Sequence, residues 1–145
     1  MISAVLDANV LASGFVGFAI KQSTPGELLR RWRQGAFELV TSEPIIDEFA
    51  GAMAKPYFVK RLSAERRTAD VALIRQEARE VALTQPVIGV ASDPHDDRVL
   101  STAVSAAAQY VVTGDKPLQD VGAYQGVQIV SPRAFLEILA SGVAE

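Results

Sequence analysis

The sequence predicts an α/β domain, a three-layer sandwich whose central parallel sheet is covered on both faces by helices. Three observations carry this. Short apolar runs, each closed by an acid, a turn or a helix cap, recur along the chain. Longer stretches with helix start and stop signals lie between them, and that alternation implies a parallel sheet. The chain has 145 residues, 49% of them hydrophobic and 21% charged, and shows no repeat, low-complexity tract or linker. It is therefore read as a single domain over residues 1–145.

In chain order, Ile2 to Leu6 is an apolar run ending at Asp7, as expected of a buried parallel strand. Residues 9–20, with Gly14 and Gly17, read as a short helix followed by a loop. Thr24-Pro25-Gly26-Glu27 starts a helix, with Thr24 as N-cap, Pro25 first and Glu27 third, and Gly35 stops it. Phe37 to Val40 is a second strand. Ser42 caps a helix that runs to about Ala54 and ends before Pro56. Residues 57–83 are charged and helical, in one or two pieces. Pro86 to Val90 is read as a third strand, weakened by Gly89. Asp93-Pro94 opens a helix reaching about Ala108, and Tyr110 to Val112 is the next strand. Thr113-Gly114-Asp115 leads into a short helix. Val127 to Val130 is the last strand, and Ser131-Pro132 caps the terminal helix.

Composition narrows the chemistry. The absence of cysteine excludes disulfides, zinc–thiolate sites and thiol nucleophiles, and fits a reducing cytoplasm. With His95 as the one histidine, any metal must be held mainly by oxygen, which favours Mg²⁺ or Mn²⁺. The N-terminus has no signal-peptide pattern, and no stretch reaches the ~18 apolar residues of a membrane span, so a soluble cytoplasmic protein is expected. The net charge is −3, yet the charges are segregated. Residues 55–67 carry Lys55, Lys60, Arg61, Arg66 and Arg67 against Glu65, a balance of +4. Residues 18–35 carry Lys21, Arg30, Arg31 and Arg33 against Glu27, a balance of +3. Arg30, Arg31, Lys55, Lys60 and Arg61 are the candidate nucleic-acid-binding residues, because basic helices beside an acidic focus suit an enzyme that grips a phosphate backbone.

Four acids stand out by position. Asp7 and Asp115 follow strand ends, where α/β sheets bind ligands. One such acid more often caps a turn; two on separate strands are harder to dismiss. On the helix after Pro94, Asp96 continues the apolar stripe of Val99, Leu100, Ala103 and Ala107, and a carboxylate on a core-facing line calls for a compensating cation. Asp93 is the expected N-cap, and Asp97 lies a quarter turn from Asp96. On the helix after Ser42, Glu48 borders the face formed by Ile45, Ile46, Phe49 and Met53, whereas Asp47 points away. His95 is read as a helix-associated bystander. Trp32, Phe15, Phe18 and Phe37 are read as core rather than as base-stacking platforms. No glycine pattern of a nucleotide-binding loop is present.

Taken together, these segments resemble the PIN-domain proteins, in particular the toxin-like group related to VapC-type ribonucleases. Val5-Leu6-Asp7-Ala8-Asn9-Val10-Leu11 looks like that family's opening motif, with Asp7 as metal ligand and Asn9 its polar companion. Val40 to Glu48 looks like the second, placing the acid at Glu48. Asp93-Pro94-His95-Asp96-Asp97-Arg98-Val99-Leu100 resembles the third, with Asp96 as ligand and Asp97 as helper. Val112 to Leu118 is similar to the fourth, with Asp115 as the last acid and Thr113 its hydroxyl neighbour. The resemblance implies a sheet of about five parallel strands and Mg²⁺- or Mn²⁺-dependent cleavage of single-stranded RNA. It also implies a homodimer and, for toxin members, a cognate antitoxin. The competing readings are a non-catalytic PIN-fold module that binds RNA or protein, an aspartyl-phosphate phosphatase, and a phospho-accepting receiver domain. The last two want a second acid near Asp7, where this chain has Asn9.

Overall fold

A strand buried on both faces must be apolar at successive positions. Ala4, Val5 and Leu6 of β1 (Ser3–Leu6) are fully buried, so layers of helix cover both faces of the sheet. The computed structural model describes residues 1–18 and 23–142. From β1 the chain continues through α1 (Ala8–Gly17), α2 (Thr24–Arg33), β2 (Glu38–Thr41), α3 (Glu43–Met53), α4 (Pro56–Val59), α5 (Ala64–Glu77) and β3 (Arg79–Glu80). It then forms α6 (Pro94–Ala106), β4 (Tyr110–Val112), α7 (Lys116–Val121), β5 (Ala123–Tyr124), β6 (Val127–Val130) and α8 (Pro132–Ser141).

The strand order is β3-β2-β1-β4-β6-β5, parallel except for β5 against β6. β1 pairs with β2 on one side (Val5 opposite Val40) and with β4 on the other (Val5 opposite Val111). The chain thus leaves β1 toward one edge and returns to its other side at β4. Between β1 and β4 lies the switch point of the sheet, and the crevice outside its carboxyl ends is where such folds bind ligands. Asp7 opens onto that crevice directly after β1, its amide donating to the Val112 carbonyl at 3.0 Å.

The core joins the layers through rings and helix crossings. Phe15 of α1 stacks on Phe49 of α3 at 5.7 Å, and Phe37 meets Phe135 of α8 edge-on at 5.1 Å. Phe15, Trp32 and Phe37 are buried and Phe18 packs against the core, as the sequence predicts. Where α1 meets α2, a Cβ on Gly26 would stand 2.1 Å from the Gly17 carbonyl oxygen, so the contact requires glycine.

The sheet has six strands rather than five, because β3 and β5 are two-residue edge pairings that no periodicity could reveal. The expected strand at Pro86–Val90 does not form; the strand beside β2 is Arg79–Glu80 instead. The cause is side-chain competition for the backbone. Thr84 and Gln85 give their amides to Ser105 Oγ, while Gly89, Val90 and Ala91 give theirs to Asp97. Two helix ends also differ from expectation. Ser23, not Thr24, caps α2, accepting from the Gly26 amide at 3.2 Å. α6 stops at Ala106, and Ala107 is its exposed left-handed cap rather than a member of the buried stripe. Lys21 and the end of the loop expected after α1 lie outside the described residues. Among the described residues, no helix is long and apolar enough to cross a membrane.

Candidate functional site

Each acid is positioned by the element it begins or borders. Asp7 is almost fully buried at the end of β1, where Thr113 at the end of β4 donates its hydroxyl to Asp7 Oδ2 at 2.8 Å. The same Thr113 oxygen accepts the Asp115 amide at 3.0 Å, so one hydroxyl ties both strand-end acids together. Asp115 caps α7 by accepting from the Leu118 amide at 3.0 Å. Asp96 sits in the first turn of α6, close enough to Asp115 for a protonated Asp96 to donate to it. Asp93 caps the same helix through the His95 amide at 2.9 Å. Glu48 is half-buried on the rim of α3, whose Ile45, Ile46, Phe49 and Met53 are buried, and Asp47 faces solvent.

The electrostatics bind these groups into one cluster. Burial, then the charges of Asp7, Asp115 and Asp93, with the hydrogen bond that a protonated Asp96 donates to Asp115, push Asp96 up to about 7. Burial also raises Asp7, against the pull of the Thr113 hydroxyl and the Ala8 amide, and the charges of Asp115 and Asp93 add to the rise. Glu48 is raised by burial and by Asp7, with His95 drawing it back. Sequence reasoning set His95 aside, but its Nδ1 lies 3.1 Å from Glu48 Oε2 and 2.9 Å from the Arg98 guanidinium. With a proton on Nδ1 it donates to Glu48; without one it accepts from Arg98. The signal was in the sequence: His95 and Arg98 are three apart on one helix, next to Asp96.

The cluster suits a divalent cation by its donor chemistry. Asp7, Glu48 and Asp96 are each raised by burial and by neighbouring carboxylates, a cost that a positive charge relieves, and the donors are oxygen throughout. Among the described residues no three acidic or histidine side chains converge tightly enough to form a finished cage. Mg²⁺ does not need one, since it keeps several waters and takes few carboxylates directly.

Asp97, expected as a helper, has other work. Its Oδ2 accepts from the Gly89 amide at 2.9 Å, and its Oδ1 from Val90 at 3.2 Å and Ala91 at 2.7 Å. It is more buried than Asp96 because this loop covers it. Replacing Asp97 by Ala is expected to cost about 2 kcal/mol in urea unfolding, since bonds to a charged acceptor are worth ~1.5–3 kcal/mol. Hydrogen exchange at Gly89, Val90 and Ala91 should accelerate in the same variant, whereas an anchor elsewhere would leave their protection unchanged.

The basic candidates divide. Arg30 and Arg31 donate to Glu27 at 2.8 and 2.9 Å, and Arg30 also bonds the Phe18 carbonyl, so both brace the start of α2 rather than await a phosphate. Lys55 and Lys60 are exposed with no ion-pair partner among the described residues. Arg61 lies 3.7 Å over the exposed Tyr57 ring. Asn9 is exposed at the start of α1, beside Asp7.

The fold has close counterparts among solved structures. It is similar to PAE2754 from Pyrobaculum aerophilum, with 16% identity and a TM-score of 0.63, covering 97% of this chain and 90% of that one. It is similar to VapBC2 from Rickettsia felis, solved bound to a DNA fragment from their promoter, with 9% identity and a TM-score of 0.58 over 90% of this chain and 98% of that one. It is also similar to VapC20 of Mycobacterium tuberculosis, described as a sarcin-ricin loop cleaving toxin, with 14% identity and a TM-score of 0.56 over 86% of this chain and 98% of that one. At such identities these likenesses concern the fold. No curated protein matches the sequence. The family model described as PIN domain matches residues 3–117. Because that match begins at β1 and takes in Asp7, Glu48, Asp96 and Asp115 alike, the chain belongs to the PIN-domain family.

Proposed function

We propose that this protein is an endoribonuclease that hydrolyses phosphodiester bonds in single-stranded RNA with Mg²⁺ or Mn²⁺. The observation that carries the reading is the convergence of Asp7, Asp96 and Asp115, bordered by Glu48, at the switch point of the sheet, with Asp96 held at about 7 by burial and by its neighbours' charges. A cluster whose carboxylates are costly to bury and to crowd together is hard to explain as scaffolding.

Asp7, Asp96 and Asp115 would hold the metal, and Glu48 would complete the set. When bound, the metal supplies a more acidic water and neutralises charge on the attacked phosphate. Thr113 fixes the Asp7 carboxylate by donating to Oδ2, and the Leu118 amide fixes Asp115. His95 orients Glu48, and Arg98 brings a guanidinium to the rim where phosphate oxygens would arrive. Lys55, Lys60 and Arg61 would hold the RNA backbone beyond the site.

The finer expectations belong to the same proposal. The protein acts in the cytoplasm as a homodimer and as the toxin of a toxin–antitoxin pair, neutralised by a small cognate protein. Family membership and the likeness to two VapC-containing structures support that reading. The test is cleavage of an end-labelled single-stranded RNA. Internal cuts are expected with Mg²⁺ or Mn²⁺ and should disappear when EDTA removes the metal. Cutting that is unchanged in EDTA would refute the metal dependence, and no cutting with either metal would refute the activity.

A further inference from the structure

Two of the clefts beside the acidic cluster are roomy enough for a ligand, and they differ in what they offer one. The larger, of about 510 Å³, runs along Pro86 to Ser92 and meets the site at Arg98. Its two buried polar side chains are already committed: Asp97 to three backbone amides, and Ser101 to the Gln85 carbonyl at 2.6 Å. The smaller, of about 370 Å³, shares Asp7 and Asp115 with the cluster as part of its own wall. Asn9 and Ser13 project into it from α1 four residues apart, hence on one helix face. Among the described residues neither side chain has a hydrogen-bond partner. Val10, Pro25 and Pro132 supply the apolar walls. Beside Asp115, Gly114 leaves the cleft open, because a Cβ there would meet nothing within 4 Å.

From this geometry we infer that the smaller cleft is a nucleoside subsite, receiving the sugar and base directly joined to the scissile phosphate, and that Ser13 is a specificity-determining residue within it. The inference rests on the nuclease reading above. A phosphate held at Asp7 and Asp115 has a neighbouring nucleoside that must lie within one nucleotide of those carboxylates, and the cleft begins at that wall. Single-stranded RNA is read when an unstacked base enters an apolar slot and meets hydrogen-bonding groups on its edge. The volume lies at the small end of the ~300–1,000 Å³ of ordinary ligand pockets, which suits one nucleoside and not a folded partner. An unpartnered hydroxyl and an unpartnered amide, one helical turn apart, can bond a base edge and a ribose hydroxyl together.

Each of the four 5′-ribonucleoside monophosphates, with Mg²⁺ present, is titrated into isotope-labelled protein while amide shifts are followed. One of the four should perturb Val10, Ser13 and Gly114 most, and Ser13→Leu, which fills the slot, should weaken that binding at least about tenfold, ~1.4 kcal/mol. In parallel, cuts in a randomised single-stranded RNA pool are mapped. Ser13→Ala should slow cleavage at the preferred sequences and lose the base preference at one position next to the cut. Shifts confined to residues 83–92, or a preference unchanged in both Ser13 variants, would overturn the subsite. Absence of any cutting by the wild-type protein would instead count against the nuclease reading, and the mononucleotide shifts would still decide whether a nucleoside sits here.

Discussion

Asp7→Asn is expected to lower the rate of RNA cleavage by more than about 100-fold while leaving the protein folded. Loss of a group that merely orients a metal ligand costs ~10–100-fold, and a ligand should cost more. The fold should survive for a local reason. Asp7 accepts the Thr113 hydroxyl at Oδ2, and an asparagine carbonyl oxygen can accept the same bond. Burial and the charges of Asp115 and Asp93 already disfavour the ionised form of Asp7, so removing its charge relieves the metal-free protein. Asp47→Asn on the solvent side of α3 is the matched control and should cut like wild type. A thermal unfolding curve for Asp7→Asn at or above the wild-type midpoint, with cleavage lost, is the expected pair of results. Equal cleavage by both variants would remove Asp7 from the site.

The second large effect is a pH dependence of stability centred on Asp96. Its carboxyl moves from an ordinary 3.8 to about 7 on folding, so the native state binds that proton more tightly than the unfolded chain. Below pH ~4 both states carry the proton, and the site costs nothing. As pH rises from there to about 7 the unfolded chain ionises first, and stability falls. Above 7 the loss is complete and constant. At full weight the shift would be worth ~4 kcal/mol. Asp96 is only half-buried, and solvent screening brings the figure to about 1 kcal/mol, or roughly 3 °C in the unfolding midpoint of a domain this size. Metal-free wild type should therefore lose midpoint between pH 5 and 7, and Asp96→Asn should flatten that slope. Saturating Mg²⁺ should restore stability in wild type, by ~2.7 kcal/mol at a hundred times its Kd, and not in the variant. A slope of equal size in Asp96→Asn would mean that another group carries it.

Much of this site is legible in the sequence because the geometry of regular elements is predictable. The strands place Asp7 and Asp115 at their ends, and helix periodicity alone separates Glu48 from Asp47. The same periodicity singled out Asp96, yet it could not foresee that Asp97 would be the more buried of the pair. Asp97 is covered by residues 89–91, and the fold of that loop depends on Asp97 itself. The misplaced strand at Pro86–Val90 has the same origin, since an apolar run says nothing about side chains that claim its amides. β3 and β5 were invisible because two residues carry no period. The pairing of Arg30 and Arg31 with Glu27 is available in the spacing, three and four residues along one helix, whereas positive charge alone does not tell a paired guanidinium from one free for phosphate.

The central claim is that these carboxylates together make a divalent-metal site, and direct binding tests it without reference to activity. Free Mn²⁺ gives an electron paramagnetic resonance signal that fades as the ion binds protein. Wild-type protein and Asp47→Asn should take up Mn²⁺ with the same affinity and release it to added Mg²⁺, whereas Asp7→Asn and Asp96→Asn should bind at least about tenfold more weakly. Equal uptake by all four proteins, or none by the wild type, would contradict the assignment.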